Sequence, residues 1–227
     1  MTSTAILIPA RYASTRLPGK PLHLLNGVPM IKRVYDAAKA TGYDTFVLTD
    51  DMRIFNLFNV DNCWIEETNY ENGTERCAGA IKNDFFSQYD QFVNVQGDMP
   101  DVTTEMVEKC ITLLKEYSVS TVYTTMREEE QNKPNSVKCV HASNYALWFG
   151  RGMTGYGSWH LGVYGYRRKS LETYINMEIP TEEKVEKLEQ LRWLKNGWQI
   201  GINHVQYNGV EINSPEDVLL WQYKNSQ

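Results

Sequence analysis

The sequence of 227 residues contains no apolar run of bilayer length and no excess of positive charge. Acidic residues (28) outnumber Lys and Arg together (23), and the net charge of -5 does not favour nucleic-acid binding, which usually leaves a basic surface. The first four residues include no basic side chain, and the apolar run after them ends at Pro9. We therefore expect a cytoplasmic protein that binds neither membranes nor nucleic acid.

Cysteine is scarce as well, and the four cysteines lie far apart without a Cys-x-x-Cys pair; they are Cys63, Cys77, Cys110 and Cys139. This spacing predicts neither a zinc site nor a disulfide framework, and reduced thiols in a cytosol fit it best. The sequence also lacks internal repeats, low-complexity segments and long linkers. A chain of this length can bury one sizeable core, so we predict a single domain over residues 1–227.

Two common nucleotide-binding fingerprints are missing. No Gly-x-Gly-x-x-Gly motif occurs, and the Walker A pattern fails because Ser14 stands where its first Gly belongs and Pro21 follows the Gly-Lys pair. Residues 6–22 instead join a short apolar strand to a loop with three cations, which are Arg11, Arg16 and Lys20. Small residues between them let the backbone approach a phosphate chain that the cations neutralise. A solvated basic loop is the alternative, but the density of Gly and Pro favours phosphate binding.

Predicted strands that end in acidic side chains indicate an α/β sheet with a ligand-binding edge. Residues 45–49 predict a buried strand before Asp50 and Asp51, and residues 92–95 predict another before Asp98. The carboxyl ends of parallel strands form the edge where α/β sheets bind ligands. Asp98 is well placed to hold Mg²⁺ on a triphosphate, although a plain turn is the alternative. The two earlier acids are also candidate caps of the next helix.

Three later signals concern helices. Thr74 is a plausible cap of a helix that follows it. One amphipathic helix is predicted from Thr181 to Gly197, with an apolar face formed by Val185, Leu188, Leu191 and Leu194. Ser214 as a cap and Pro215 at the first helical position predict the start of the last helix.

Residues 8–22, Ile-Pro-Ala-Arg-Tyr-Ala-Ser-Thr-Arg-Leu-Pro-Gly-Lys-Pro-Leu, closely resemble the N-terminal signature of the 3-deoxy-manno-octulosonate (Kdo) cytidylyltransferases. These CMP-Kdo synthetases activate a lipopolysaccharide sugar. Residues 95–98, Val-Gln-Gly-Asp, match as well, and the similarity runs nearly end to end. The resemblance implies an α/β fold with a mostly parallel central sheet of the nucleotide-diphospho-sugar transferase type. It also implies a small β-rich portion, at roughly residues 135–163, that covers the acceptor and helps to form a homodimer.

The activity implied by the resemblance is Mg²⁺-dependent transfer of CMP from CTP to the anomeric hydroxyl of Kdo or a close relative, with release of pyrophosphate. Five residues would bind the nucleotide: Arg11, Arg16, Lys20, Arg76 and Gln96. Gln96 and Arg76 would read the cytosine base. Asp98 would bind the metal and would form the catalytic group with Lys20 and Arg11, without a covalent nucleophile.

The resemblance places five further residues near the acidic sugar: Arg151, His160, Tyr164, Glu189 and Gln190. For His160, a hydrogen-bonded core residue is the plain alternative. The sequence departs from the family where Met99 replaces a Glu, where residues 152–159 form a shorter segment, and where Asn213 replaces a metal-binding Asp. Asn213 can still offer Mg²⁺ an amide oxygen, but no charge. Two alternatives stay open: a CMP transferase for another acidic sugar, such as a nonulosonic acid, and a CTP-binding protein without turnover.

Overall fold

The computed structural model describes residues 2–14, 17–66 and 68–226, and Arg16 lies outside these ranges. The strands of the described residues are β1 (Thr4–Ala10), β2 (Leu24–Leu25), β3 (Val28–Pro29), β4 (Asp44–Thr49), β5 (Cys63–Ile65), β6 (Gln91–Val95), β7 (Val119–Thr124), β8 (Lys138–Ala142), β9 (Tyr145–Gly150), β10 (Ser158–Arg167) and β11 (Ile200–His204). β2 and β3 pair with each other, and the other strands form one sheet in the order β5-β4-β1-β6-β10-β7-β11-β9-β8.

The helices of the described residues are α1 (Met30–Lys39), α2 (Met52–Phe55), α3 (Gly73–Ala80), α4 (Thr104–Leu113), α5 (Glu128–Gln131), α6 (Arg168–Tyr174), α7 (Thr181–Glu186), α8 (Leu191–Lys195) and α9 (Pro215–Lys224). Short 3-10 turns occupy Lys20–Leu22, Val60–Asn62 and Asp84–Gln88. Across the described ranges, no helix has the length and apolar character needed to cross a bilayer.

The direction of the strands confirms the predicted mostly parallel α/β fold. β5, β4, β1 and β6 pair in parallel, and so do β7 and β11. β10 runs in the opposite direction between β6 and β7, and it joins these two parallel groups. In the region predicted to be β-rich, residues 135–163, β8 and β9 form an antiparallel hairpin, and β8 also pairs with the start of β10.

The sheet is buried on both faces, as β1 illustrates. Ile6 and Ile8 belong to a core cluster that includes residues of α1 and α4, whereas Leu7 belongs to a second cluster that includes residues of α3 and α8. Neighbouring residues of a strand point to opposite faces, so a strand covered on both faces is apolar throughout. The parallel strands β1 and β4 end together, with Ala10 opposite Thr49, so the polar loops after them meet at one edge.

The prediction of a single helix from Thr181 to Gly197 is wrong. The chain forms two separate helices, α7 and α8, because Lys187 adopts a left-handed conformation with φ of 54° and ends the first one. Val185, which was predicted to belong to the apolar face, is 74% exposed.

A buried ion-pair cluster explains the break. The Arg192 guanidinium in α8 lies 2.6 Å from a Glu183 oxygen in α7 and 2.8 Å from a Glu75 oxygen in α3. Residues nine apart on one straight helix would lie roughly 13 Å apart along its axis, so this pairing requires the chain to turn back. A buried charge left without its partner would be strongly unfavourable. The turn carries Gln190 into the interior, where it is 1% exposed, and leaves Glu189 partly buried beside it.

Candidate active site

Three predicted site residues meet at the carboxyl edge of β1 and β6. Lys20 Nζ lies 2.7 Å from Asp98 Oδ2 and 3.4 Å from Asn213 Oδ1. β1 and β6 are adjacent parallel strands, so the loops that follow them leave the sheet at the same place. Gly19, directly before Lys20, has φ of 66°, and a Cβ there would lie 3.2 Å from the Tyr12 ring. A side chain at this position would therefore strain the loop.

The other two cations of the loop are placed differently. Arg11 directly follows β1 at the same edge and is exposed, so its guanidinium can meet an anion that arrives from solvent. Arg16 was predicted to bind the nucleotide, but it lies outside the described residues.

The oxygens of Asp98 and Asn213 fit a hard cation. Both accept hydrogen bonds from the same Lys20 ammonium, so they face a common point. Mg²⁺ prefers oxygen ligands, takes one or two carboxylates from a protein and keeps several waters. Within the part of the chain that the structure describes, no group of three or more His, Cys, Asp or Glu side chains converges on a metal position.

Glu211 is a further member of this edge that the sequence analysis missed. Burial and the nearby Asp98 carboxylate raise the pKa of Glu211 to about 8, and the Lys20 ammonium opposes this rise. The sequence offered one signal, which is an acidic residue two positions before Asn213.

Arg76 lies in α3 and is only 3% exposed. Its Nη2 donates a hydrogen bond to Asp50 Oδ2 at 2.7 Å, so Asp50 orients the guanidinium. Of the two acids that follow β4, Asp51 is the one that caps α2. Arg76 Nη1 has no hydrogen-bond partner among the described residues. A buried donor without a partner is unfavourable unless a ligand satisfies it, so this atom can bind an acceptor group of a ligand.

Gln96 and Glu189 connect the predicted nucleotide side to the predicted acceptor side. Gln96 Nε2 donates to Glu189 Oε1 at 2.9 Å, and the backbone N–H of Thr74 donates to Glu189 Oε2 at 2.8 Å. Burial raises the pKa of Glu189 to about 6.

The prediction that Thr74 caps α3 is wrong, because Asn72 caps it by accepting from the backbone N–H of Glu75 at 2.9 Å.

The remaining acceptor-side residues on β10 are buried. The Tyr164 hydroxyl donates to Gln190 Oε1 at 3.2 Å, and Gln190 Nε2 has no partner within the described residues. His160 Nε2 lies 2.9 Å from Thr121 Oγ1. Burial, with a smaller contribution from the charge of Arg151, lowers the pKa of His160 to about 3. His160 is therefore a neutral, hydrogen-bonded side chain beside Tyr164, with 5.3 Å between the ring centroids.

Arg151 connects the β8–β9 hairpin to α7. Its backbone N–H donates to Glu186 Oε2 at 2.9 Å, its Nε donates to the Glu186 carbonyl at 3.0 Å, and its Nη1 donates to the Asn135 carbonyl at 3.0 Å. The positive charge of Arg151 also helps to lower the pKa of His160, which the sequence placed on the acceptor side.

These groups form two adjoining regions with different chemistry. The edge with Lys20, Asp98 and Arg11 presents cations and metal-type oxygens, which suit a polyphosphate. The region around Glu189 and Gln190 presents carboxylate and amide acceptors and an unpaired donor, which suit the hydroxyls of a sugar. The arrangement can hold a phosphorylated ligand next to a polyhydroxylated one.

Comparison with known proteins decides the family. The family profile described as cytidylyltransferase matches residues 5–200 of this chain. The chain belongs to the cytidylyltransferase family. The described candidate residues of this cytidylyltransferase lie within the matched range, except Glu211 and Asn213.

Individual cytidylyltransferases match over nearly the whole chain. The chain is 37% identical to the 8-amino-3,8-dideoxy-manno-octulosonate cytidylyltransferase of Shewanella halifaxensis, across 96% of each protein. It is 36% identical to the 3-deoxy-manno-octulosonate cytidylyltransferase of Fusobacterium nucleatum, across 93% of this chain and 92% of that protein. The family resemblance stated from residues 8–22 is thus confirmed.

Solved structures agree with this family. A CMP:2-keto-3-deoxy-manno-octonic acid synthetase in complex with CTP is 30% identical and superposes with a TM-score of 0.89, over 100% of this chain and 99% of that one. The 4-diphosphocytidyl-2C-methyl-D-erythritol synthase of Anaerococcus prevotii superposes with a TM-score of 0.67 at 13% identity, which shows a shared fold alone.

Proposed function

We propose that this cytidylyltransferase transfers CMP from CTP to the anomeric hydroxyl of Kdo or of its 8-amino derivative and releases pyrophosphate. The observation that carries the proposal is the cluster of Lys20, Asp98 and Asn213 at the sheet edge. The relatives named for these two sugars, each matched over more than nine-tenths of this chain, support the choice of acceptor.

The loop after β1 would bind the triphosphate. Lys20 and Arg11 would neutralise the phosphate oxygens, and before the nucleotide binds, the ion pair of Lys20 with Asp98, at 2.7 Å, keeps the ammonium at this edge. The sugar hydroxyl would then attack the α-phosphorus in line, and pyrophosphate would leave. The protein contributes orientation and electrostatic stabilisation to this reaction, so it needs no covalent nucleophile.

Asp98 and Asn213 would hold the Mg²⁺ ion of this reaction. When bound, the ion supplies Lewis-acid stabilisation of the charge on the α-phosphoryl group and on the leaving pyrophosphate. Lys20 contacts both ligand oxygens, so it would move from them toward the triphosphate when the ion and the nucleotide bind.

The buried polar groups would orient the two organic ligands. Arg76 and Gln96 would bind the cytosine base, since Arg76 Nη1 is an unpaired buried donor. Glu189 and Gln190 would bind sugar hydroxyls, and the Tyr164 hydroxyl holds the Gln190 amide in place.

An acceptor panel tests the proposal. Pyrophosphate release from CTP would be measured with Kdo, with 8-amino-3,8-dideoxy-manno-octulosonate and with a nonulosonic acid. We expect release with one or both octulosonates. Release with the nonulosonic acid alone would favour the other acidic sugar, and CTP binding without release on any acceptor would contradict a transferase.

The proposal includes a homodimer in the cytoplasm. The β8–β9 hairpin would form the interface, because Leu147 on β9, the strand next to the edge strand β8, is 48% exposed. The four cysteines are buried and unpaired, which suits a reducing compartment. Leu147→Asp should convert a dimer to a monomer in sedimentation equilibrium, and an unchanged mass would contradict this interface.

A further inference from the structure

Strands β4 and β5 end side by side, and an acidic residue follows each of them. Leu48 on β4 lies opposite Trp64 on β5, and both pack in the core cluster that includes residues of α3. The pairing continues past this point, since the Glu66 N–H donates to the Thr49 carbonyl at 2.8 Å. Alternate residues of an extended chain share a face, so Asp50 and Glu66 both lie on the side of α3.

Two buried groups at this place have no partner among the described residues. Arg76 of α3 is 3% exposed, and its Nη2 is bonded to Asp50 while its Nη1 is unpaired. Glu66 Oε2 is buried as well, and no hydrogen bond or ion pair joins this carboxylate to another described residue. Burial raises the pKa of Glu66, and the nearby Arg76 guanidinium opposes the rise. Buried polar groups are normally paired, so this donor and this acceptor are suited to one ligand.

An aromatic ring lies beside these two groups. The centroid of the Tyr70 ring is 5.6 Å from the central carbon of the Arg76 guanidinium. The Tyr70 hydroxyl packs on Gly79 in α3, where a Cβ would overlap the hydroxyl oxygen, so only glycine allows this position of the ring. A flat ring next to a guanidinium and a carboxylate suits a planar ligand with hydrogen-bonding groups on its rim.

The hydrogen-bonding edge of cytosine matches the two unpaired groups. It presents two acceptors, the O2 oxygen and the N3 nitrogen, next to a donor, the 4-amino group. A guanidinium only donates and an ionised carboxylate only accepts, so Arg76 Nη1 suits the acceptors and Glu66 Oε2 suits the amino group. Uracil has a carbonyl oxygen in place of the amino group. Glu66 would then face a second acceptor, which is unfavourable.

We propose that Glu66 binds the 4-amino group of cytosine and thereby makes the protein select CTP over UTP. The inference rests on the proposed function, in which the nucleotide is CTP and Arg76 binds its base. Glu66 would contact the base and not the reacting phosphorus, so it determines specificity without taking part in the transfer itself.

Calorimetric binding of three nucleotides tests the inference. They are CTP, UTP and the 2-pyrimidinone nucleoside triphosphate, in which a hydrogen atom replaces the 4-amino group. The wild type should bind the 2-pyrimidinone nucleotide about 10- to 100-fold more weakly than CTP, because a hydrogen bond to a charged group is lost. In Glu66→Ala this difference should nearly vanish, since the variant lacks the acceptor. Glu66→Gln can donate to the uracil oxygen, so its preference for CTP over UTP should fall by about 10-fold or more.

Glu71→Gln is the matched control. Glu71 is exposed in the segment before α3, and its replacement removes the same charge. We expect its affinities for the three nucleotides to keep the ratios of the wild type. Equal affinities of the wild type for CTP and the 2-pyrimidinone nucleotide, an undiminished difference in Glu66→Ala, or equal changes in Glu66→Gln and Glu71→Gln would each overturn the inference. Thermal unfolding shows whether the variants are folded, and Glu66→Gln, which keeps the size of the side chain, replaces the Ala variant if that one is not.

Pyrophosphate release separates this inference from the proposed function. Turnover with CTP, at a CTP-to-UTP ratio of kcat/KM that Glu66→Gln leaves unchanged, would overturn the inference and leave the function. Binding of CTP with a preference that depends on Glu66, but without release on any acceptor, would uphold the inference and contradict the function. A wild type that does not bind CTP would overturn both.

Discussion

His160 makes the stability of this cytidylyltransferase depend on pH. In the folded protein, burial lowers its pKa from 6.5 to about 3, and its ring is hydrogen-bonded to Thr121. The unfolded chain therefore takes up a proton on His160 at a pH where the folded chain does not. Stability must then fall as the pH falls below the ordinary pKa of histidine, because the unfolded state binds more protons.

The size of this effect follows from the pKa shift. One pKa unit corresponds to about 1.4 kcal/mol, so protonation of the unfolded chain lowers the free energy of unfolding by about 2 kcal/mol between pH 7 and pH 5. Glu189 acts in the opposite direction. Its pKa is raised to about 6, so its contribution to stability is present at low pH and is lost as the pH rises through that value. Between pH 7 and pH 5, this carboxyl adds about 1 kcal/mol.

The two groups allow an assay with an internal control. Urea unfolding followed by circular dichroism would give the free energy of unfolding at pH 7, 6 and 5. His160→Gln cannot titrate and should lose about 2 kcal/mol less than the wild type over this range, whereas Glu189→Gln should lose about 1 kcal/mol more. A non-specific effect of substitution would not change the pH dependence in opposite directions. Parallel curves for the wild type and His160→Gln would refute the reasoning.

Other variants test the proposed roles directly. Lys20→Ala and Arg11→Ala should each weaken CTP binding by about 1.5 to 3 kcal/mol in calorimetry, because each removes a charge-assisted contact to phosphate; affinities near the wild type would favour a solvated basic loop. Gln96→Ala should reduce discrimination between CTP and UTP more than turnover, and an unchanged ratio of kcat/KM for the two nucleotides would count against a base-reading role. Asn213→Asp should lower the Mg²⁺ concentration at half-maximal rate, and Asp98→Asn should abolish turnover. A metal titration in which both variants match the wild type would contradict the metal assignment.

The sequence predicted elements correctly where neighbouring residues determine the structure. Ser214 caps α9 through a complete capping box with Asp217, and Pro215 occupies the first turn, as the local pattern indicates. Residues 92–95 lie in β6 (Gln91–Val95), and Asp98 lies just beyond its end. The position of the candidate site at the carboxyl edge of the sheet could be predicted in the same way, since the loops that carry Lys20 and Asp98 each follow an apolar strand.

Contacts between distant segments determined what the sequence did not predict. The spacing over residues 181–197 is helical, but the buried pairing of Arg192 with Glu75 and Glu183 requires two helices. The position of Glu211 depends on the hydrogen bond of the Ile212 N–H to the turn after β6, which no local pattern encodes.

The position of β10 in the sheet determines the order in which the nascent chain can fold. Among the described strands, β7 pairs only with β10 and β11, which are both synthesised after it. β1, β4, β5 and β6 can complete their mutual pairing once residue 95 has left the ribosome, whereas β7 must wait for residues 158–204. A strand whose backbone N–H and C=O groups have no partner is prone to pair with other chains, so the growing chain is most exposed to aggregation during this interval. Asp98 is in place early and Asn213 late, so the ribosome-bound chain cannot assemble the proposed metal site until residue 213 has been made.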